Sequence, residues 1–178
     1  MLLLAIDSSA KPVSAALVKD DVILGETFLN TKQTHSQTLM PVIENLFKVT
    51  GQSIKDVDYY AVSVGPGSFT GIRIAIASVK GMAFEKNKSC VPVSTLETIA
   101  YGVNSYEGKI ICAVMDARCK QVYNAIFKVK NGVPVRICED RAISLDDLLK
   151  DLDNYDQEII LAGDGAQICY EYFSKCIT

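Results

Sequence analysis

The chain has 178 residues, of which 49% are hydrophobic, with a formal net charge of −3 and an isoelectric point near 5.2. This length predicts one domain or two small lobes, with ample apolar material for a buried core. The acidic balance argues against a dedicated polyanion-binding surface, because binding nucleic acid requires clustered lysines and arginines.

Cysteine and histidine usage argues against a metal site. The six cysteines form no Cys-x-x-Cys pair and lie at positions 90, 112, 119, 138, 169 and 176. His35 is the only histidine, so we expect reduced thiols and no tightly bound metal. The apolar run at residues 2–6 is too short for a signal peptide or a membrane span. The sequence therefore predicts a cytoplasmic protein with no membrane contact.

The first part of the chain predicts an antiparallel meander followed by a helix. Three apolar runs, at residues 2–6, 13–18 and 22–29, are separated by short polar turns. The first run is continuous, which is typical of a strand buried on both faces. An apolar repeat at i, i+3, i+4 and i+7 then predicts an amphipathic helix over residues 35–49.

A fourth strand and a long helix follow. Residues 60–64 predict a buried strand, residues 65–68 a glycine-rich turn, and residues 69–85 a helix. A short strand at residues 91–93 and a helix at residues 96–101 complete the first lobe.

A polar, glycine-containing break at residues 102–108 predicts a boundary between two lobes, 1–103 and 104–178. The second lobe predicts strands at 110–115, 121–129, 133–137 and 159–162, with a hairpin turn at Asn131-Gly132 and two helices. The overall prediction is an α/β fold of mixed sheets flanked by helices.

Three segments at strand ends are weak candidates for nucleotide binding. Gly65-Pro66-Gly67-Ser68 joins a strand to a helix N-terminus that could meet an anion, although it matches neither a Walker A nor a dinucleotide motif. Asp7-Ser8-Ser9 could hold a metal-bound phosphate, and Gly163-Asp164-Gly165 could face a base or a ribose. For each segment the alternative interpretation is a tight turn that needs only small or hydrogen-bonding residues.

Two further features admit a chemical and a structural interpretation. His35 could act as a base, but a hydrogen-bonded residue at a helix start is the favoured interpretation. Asp116-Ala117-Arg118 follows a strand and could be a binding loop, and the alternative is a local ion pair at a strand end.

The helix at 69–85 is apolar on more than one side, which is typical of a helix covered by another molecule. We expect its core stripe to contain Ile72, Ile76, Val79 and Ala83. Its opposite side holds Ile74, Ala77 and Gly81. Met40 and Phe47 widen the apolar stripe of the preceding helix. The predicted partner interface comprises His35, Met40, Phe47, Arg73, Ile74, Ala77 and Gly81, and simple burial within the chain is the alternative.

Several blocks of the sequence resemble the TsaB (YeaZ) family. They are Leu4-Ala5-Ile6-Asp7-Ser8-Ser9, Thr34-His35-Ser36-Gln37 with Leu39-Met40-Pro41, the stretch from Ser63 to Arg73, and Asp116-Ala117-Arg118 with Gln121-Val122-Tyr123. They occur in the family's order over most of the chain, and the string from Gly65 to Arg73 is highly specific. The resemblance implies a hexokinase/actin-like (ASKHA) fold of two RNase H-like lobes.

The resemblance also implies a function. Such proteins hold TsaD, which transfers a threonylcarbamoyl group to adenosine 37 of ANN-decoding tRNAs, and the ATPase TsaE joins the complex. The chain would bind TsaD through two helices, pair with a second copy when alone, and meet tRNA only through the complex. Family members usually continue with further helices, so the resemblance also implies an incomplete second lobe.

The catalytic relative uses paired histidines for a metal, and this chain has only His35. The resemblance therefore implies a pseudo-enzyme with no catalytic residue and no tightly bound cofactor, with ATP or ADP bound weakly or at the complex interface. The first alternative is an ATPase or kinase of the same fold that acts on its own. The second is a metallopeptidase, which the lack of a second histidine disfavours.

Overall fold

In a computed structural model of the chain, residues 1–103 and 107–176 are described. Their contacts divide the chain into two compact units, which meet in sequence between Val93 and Ser94. Residues 104–106, at the centre of the polar break that predicts a lobe boundary, lie outside the described residues. No helix within the described ranges is long and apolar enough to cross a membrane.

Unit 1 contains one five-stranded sheet and two helices. Its elements are β1 (Leu2–Asp7), β2 (Val13–Lys19), β3 (Val22–Leu29), α1 (His35–Thr50), a 3-10 turn (Ile54–Asp56), β4 (Tyr59–Gly65), α2 (Phe69–Phe84) and β5 (Ser89–Ser94). The strand order is β3-β2-β1-β4-β5. Strand β1 pairs antiparallel with β2 and parallel with β4, so the sheet is mixed as predicted.

The core of unit 1 lies on one face of this sheet. Leu2, Leu4 and Ile6 point into a cluster that also contains the buried side chains of α1 and α2. Burial alternates along β1, so the side chains between them, Leu3 and Ala5, are only partly buried. The prediction that this strand is buried on both faces is wrong, because both helices of unit 1 pack on the same face.

Unit 2 contains a second mixed sheet and three helices among the described residues. Its elements are α3 (Thr95–Tyr101), β6 (Ile110–Arg118), β7 (Gln121–Lys130), β8 (Val133–Arg136), β9 (Arg141–Ser144), α4 (Leu145–Leu152), β10 (Ile159–Ala162) and α5 (Ala166–Cys176). The order is β10-β6-β7-β8, and β9 also pairs with β7. The predicted strands and the Asn131-Gly132 turn are confirmed, whereas β9 was not predicted.

The sheet of unit 2 is covered on both faces. Ile110, Cys112 and Val114 of β6 pack in a cluster with α4 and α5. The alternate residues of β6 are equally buried, and α3 packs on β6, β7 and β8. Helix α3 therefore belongs with unit 2, and the observed division falls one helix earlier than the predicted boundary after residue 103.

Candidate functional sites

The turn that follows β1 and the loop that follows β4 lie against each other in unit 1. The Ser9 amide donates to an Asp7 carboxylate oxygen at 2.7 Å, which fixes the turn. The Ser68 amide donates to the Ser9 carbonyl at 2.6 Å, and the Ser8 hydroxyl donates to the Gly71 carbonyl at 2.8 Å. Two of the three nucleotide-binding candidates are thus adjacent, held together by direct hydrogen bonds.

Two glycines of this loop are required by packing within the chain. A Cβ atom at Gly67 would overlap the Ser9 carbonyl, and one at Gly71 would overlap the Ser8 carbonyl. Gly67 also has a φ of +152°, a conformation that side chains disfavour. The geometry therefore gives the glycines a structural reason, as the tight-turn interpretation requires, and nucleotide binding stays a prediction.

One hydroxyl at this junction is buried without a partner. Ser9 is 1% exposed and its Oγ makes no hydrogen bond within the described residues. Such a group destabilises a fold by roughly 1–3 kcal/mol. The contacts within the chain therefore do not explain why the Ser9 hydroxyl is buried at this junction.

His35 lies at the start of α1, beside the same junction. Its Nε2 lies 2.9 Å from the Ala10 carbonyl oxygen, and its Cδ2 lies 2.9 Å from the place that a Cβ at Gly71 would take. The Thr34 amide donates to the Gln37 side chain at 3.2 Å and caps the helix. His35 is half-buried and fixes the β1–β2 connection onto α1, which agrees with the structural interpretation.

The candidate segments of unit 2, Gly163-Asp164-Gly165 and Asp116-Ala117-Arg118, lie together at the ends of β10 and β6. A Cβ at Gly163, where φ is +108°, would overlap the Val114 carbonyl, and the Gly165 amide donates to that carbonyl at 3.2 Å. An Asp164 carboxylate oxygen accepts from the Asp116 amide at 3.2 Å. The Arg118 amide donates to an Asp116 carboxylate oxygen at 2.7 Å, so a turn closed by the Asp116 side chain organises Asp116-Ala117-Arg118, and not an Asp116–Arg118 ion pair.

The two buried thiols of unit 2, Cys112 and Cys169, are poor nucleophiles and poor metal ligands at neutral pH. Burial raises the pKa of Cys112 to about 12 and that of Cys169 to about 11. Within residues 1–103 and 107–176, no three His, Cys, Asp or Glu side chains gather to hold a metal ion. The expected lack of a tightly bound metal remains a prediction.

The outer face of α2 carries a continuous exposed stripe at helical spacing. Its members are Phe69, Arg73, Ala77, Gly81 and Phe84, of which Phe69 is 69% and Phe84 87% exposed. The Arg73 guanidinium lies 3.6 Å from the centre of the Phe69 ring. An aromatic residue at each end with small residues between them is a shape that another helix can approach closely.

The remaining partner-interface residues divide between surface and core. Met40 is 37% exposed on α1. Phe47 is only 9% exposed and belongs to the core cluster, so its assignment to a surface is wrong. Ile74 is half-buried and packs against the same cluster rather than on the outer face.

The buried stripe of α2 differs from the predicted one. It runs through Gly71, Ala75, Val79 and Ala83, whereas Ile72 and Ile76 are half-buried. The sequence pattern predicts Ala77 and Gly81 as interface residues, but the prediction missed Phe69 and Phe84. The signal was available, because steps of four residues from Phe69 lead through Arg73 and Ala77 to Gly81.

Gly81 has no packing reason within unit 1. A Cβ atom there would meet nothing within 4 Å, in contrast to Gly71 one face away. Glycine in an exposed helix interior destabilises the helix by about 1 kcal/mol relative to alanine. The chain's own contacts thus leave Gly81 unexplained.

The sequence of the chain is similar to proteins of known family. A family model described as TsaD, tRNA N6-adenosine threonylcarbamoyltransferase, matches residues 23–177. The tRNA threonylcarbamoyladenosine biosynthesis protein TsaB of Bacillus subtilis is 32% identical over 163 residues, which are 92% of this chain and 71% of that protein. The chain belongs to the TsaB (YeaZ) family. Its Escherichia coli TsaB relative is 34% identical over 135 residues, 75% of this chain and 58% of that protein.

A solved structure of TsaB-family type confirms the fold. YeaZ from Pseudomonas aeruginosa superposes with a TM-score of 0.78 and 28% sequence identity, over 91% of this chain and 75% of that one. The predicted α/β fold, with mixed sheets flanked by helices, is therefore confirmed as the fold of YeaZ. TsaB relatives are named for tRNA threonylcarbamoyladenosine biosynthesis, so the family's involvement in that pathway is shown.

Proposed function

We propose that this TsaB-family chain is a non-catalytic scaffold for threonylcarbamoyladenosine formation at position 37 of ANN-decoding tRNAs. It holds the catalytic subunit TsaD through the outer face of α1 and α2, and TsaE joins the complex. Without TsaD, two copies pair through the same face. The chain acts in the cytoplasm and reaches tRNA only through the complex.

The observation that supports this proposal is the exposed stripe on α2. Phe69 and Phe84 leave large apolar surfaces in water, and Ala77 and Gly81 leave the helix backbone open between them. Apolar surface of this kind marks interaction sites on folded proteins. A two-fold pairing of identical patches is the commonest way in which a lone chain covers it.

The composition of the chain supports a scaffold rather than an enzyme. His35 is its only histidine and contacts the Ala10 carbonyl. The Asp7 carboxylate accepts from the Ser9 amide, so part of its hydrogen-bonding capacity serves the turn. Among the described residues, no hydrogen bond joins either side chain to a hydroxyl or thiol that could serve as a nucleophile.

The test introduces a charge at the centre of the stripe. Ala77→Glu puts a carboxylate into the proposed contact, where burying it without a partner costs several kcal/mol. We expect the folded variant to be monomeric by light scattering, to lose TsaD in a pull-down, and to fail in a tRNA-modification assay. Ala77→Ser, which keeps a small side chain, is the matched control and should retain all three properties.

Gly81→Ala separates binding from stability. Because a Cβ there meets nothing, alanine should stabilise the isolated chain by about 1 kcal/mol in urea unfolding. The same methyl group should weaken TsaD binding, since it stands where the partner approaches. If Ala77→Glu is folded, still dimeric and still supports modification, the interface lies elsewhere and the proposal fails.

We also propose that this chain alone binds ATP or ADP only weakly and that the nucleotide is dispensable for holding TsaD. The loop Gly65-Pro66-Gly67-Ser68 contains no lysine to meet phosphates. Calorimetry with ATP and Mg²⁺ is the test. Sub-micromolar affinity with turnover by this chain alone would favour the alternative of a separate ATPase or kinase.

A further inference from the structure

A small pocket opens at the C-terminal end of α2, next to the exposed stripe. Its volume is about 140 Å³, and Gly81 lies on its wall. Tyr60, which is 1% exposed, is among its apolar lining residues, together with Val57 and Met82. Gly81 therefore belongs both to the wall of this pocket and to the exposed stripe that the proposed function assigns to a partner.

The charged residues that line the pocket are mostly cationic. Lys55, Lys86 and Lys88 contribute three positive charges, and Glu85 contributes one negative charge. Like charges that converge on one pocket repel each other, so a negative group placed among them is favoured over a neutral one.

The chain's own acids compensate this charge only in part. Lys88 Nζ lies 3.7 Å from an Asp58 oxygen, near the outer limit for an ion pair, and that carboxylate also accepts from the Leu2 amide. Lys86 Nζ donates to the Lys55 carbonyl at 2.8 Å, which leaves its charge unpaired. In the part of the chain that the structure describes, neither Lys55 nor Lys86 forms an ion pair.

We propose that this pocket receives an acidic side chain, a glutamate or an aspartate, from the protein that docks on α2. The inference rests on the proposed function and adds the chemistry of one anchor. The apolar lining suits the methylene part of such a side chain, and the lysine ammonium groups suit its carboxylate. Phe84, which is 87% exposed, directly precedes the pocket residue Glu85 in the chain, so the proposal adds a charged contact to the apolar one.

The experiment measures the affinity of full-length variants for the TsaD subunit of the same cell by calorimetry, at low and high salt. Lys86→Glu should weaken binding about tenfold at low salt and flatten its salt dependence, because the carboxylate loses its partner and meets a like charge. Lys86→Gln should weaken binding by a smaller factor. Lys130→Glu, an equal charge change on an exposed residue of unit 2, should leave the affinity unchanged.

The outcomes distinguish this inference from the proposed function. If Ala77→Glu abolishes binding but Lys86→Glu keeps both the affinity and the salt dependence, the pocket proposal is overturned and the α2 interface stands. If neither variant affects binding, both fail. If Lys86→Glu leaves the affinity for the subunit intact but reduces retention of tRNA by the complex, the pocket meets a phosphate instead, which also overturns the proposal. Rescue of Lys86→Glu by a glutamate-to-lysine change in the partner would identify the anchor.

Discussion

Strands β1 and β6 occupy the centre of their respective sheets, and both are almost wholly apolar. In β6 the six residues from Ile110 to Met115 are all buried, whereas burial alternates along β1. Both strands end near an aspartate, Asp7 or Asp116, whose carboxylate accepts from the amide two residues later at 2.7 Å. Each has a parallel neighbour that ends at a glycine with positive φ, Gly65 or Gly163.

The difference between them comes from what covers the sheet. Helix α3 packs on β6, β7 and β8, while α4 and α5 join the cluster on the other face. Unit 1 has helices on one face only, among the described residues. An apolar run thus shows that a strand can be buried on both faces, and the rest of the chain decides whether it is.

The largest expected effect concerns one glycine in each unit whose added Cβ would overlap a neighbouring carbonyl. Gly71→Ala in unit 1 and Gly163→Ala in unit 2 would each drive a Cβ into a carbonyl oxygen of the central strand or its turn. We expect each to lower the free energy of unfolding by about 3–5 kcal/mol, measured by urea denaturation. Gly163 carries the added cost of positive φ, so its variant should be the worse of the two.

Gly81→Ala is the control for these variants, because it makes the same change on α2 without any neighbour. If Gly71→Ala proves as harmless as Gly81→Ala, the junction of the β1 turn with α2 is looser than the structure shows. The comparison of the two units would then lose its common element.

The second prediction compares the covered face of β6 with the outer face of β1. Ile111 is 0% exposed on the α3 side of β6, and Leu3 is only partly buried on the uncovered side of β1. Ile111→Ala should cost about 3 kcal/mol, as expected for a large-to-small change in a closed core. Leu3→Ala should cost about 1 kcal/mol, because its side chain already meets solvent. Equal losses in urea unfolding would mean that the outer face of unit 1 is covered in solution.

How much of the fold the sequence could predict depends on how far apart along the chain the interacting residues lie. Element types followed from local apolar periods, and the Asn131-Gly132 turn from its need for positive φ. Strand β9 was missed because four residues carry too little periodicity. Phe47 was misplaced because the width of an apolar stripe does not show how far a sheet extends beneath it.

The candidate sites show the same limit. The sequence brought Asp7-Ser8-Ser9 and Gly67 into one list, but the contact of Gly67 with Ser9 depends on the parallel pairing of β1 with β4. The lysine-lined pocket was invisible, since Lys55 and Lys86 meet only after α2 packs beside the 3-10 turn. Long-range pairing of this kind has no local signal.

The two units should also differ in how alkaline pH changes their stability. Burial raises the pKa of Cys112 to about 12, whereas the unfolded thiol titrates near its ordinary value of 9.0. The unfolded chain therefore loses its proton first, and stability that is present below pH 9 is lost as pH rises toward 12. The loss for this thiol should be roughly 1 kcal/mol per pH unit. The buried titrating group of unit 1, Tyr60, also has a raised pKa, but from an ordinary value of 10.0.

The measurement is urea unfolding at several pH values from 7 to 10.5 under reducing conditions. Cys112→Ala should flatten the decline above pH 9, whatever it does to stability at pH 7. A decline that persists unchanged in this variant would assign the alkaline loss to other groups and remove this difference between the units.

The smallest expected effect concerns the hairpins within unit 2. The turn between β7 and β8 uses Asn131 and Gly132 with φ of +54° and +74°, whereas the turn between β6 and β7 uses Cys119 and Lys120 with φ of +53° and +59°. Side chains disfavour this conformation, and asparagine followed by glycine tolerates it. Replacing the pair by Cys119→Asn with Lys120→Gly should therefore raise the free energy of unfolding by about 1 kcal/mol. The Lys120 carbonyl, which accepts from the Leu145 amide at 3.2 Å, is kept in the variant.

In unit 1, Asp21→Gly at φ +66° offers a parallel test with a smaller gain. If neither change raises the urea midpoint in reducing buffer, the turns are relaxed in solution, and positive φ is not what limits the stability of either hairpin.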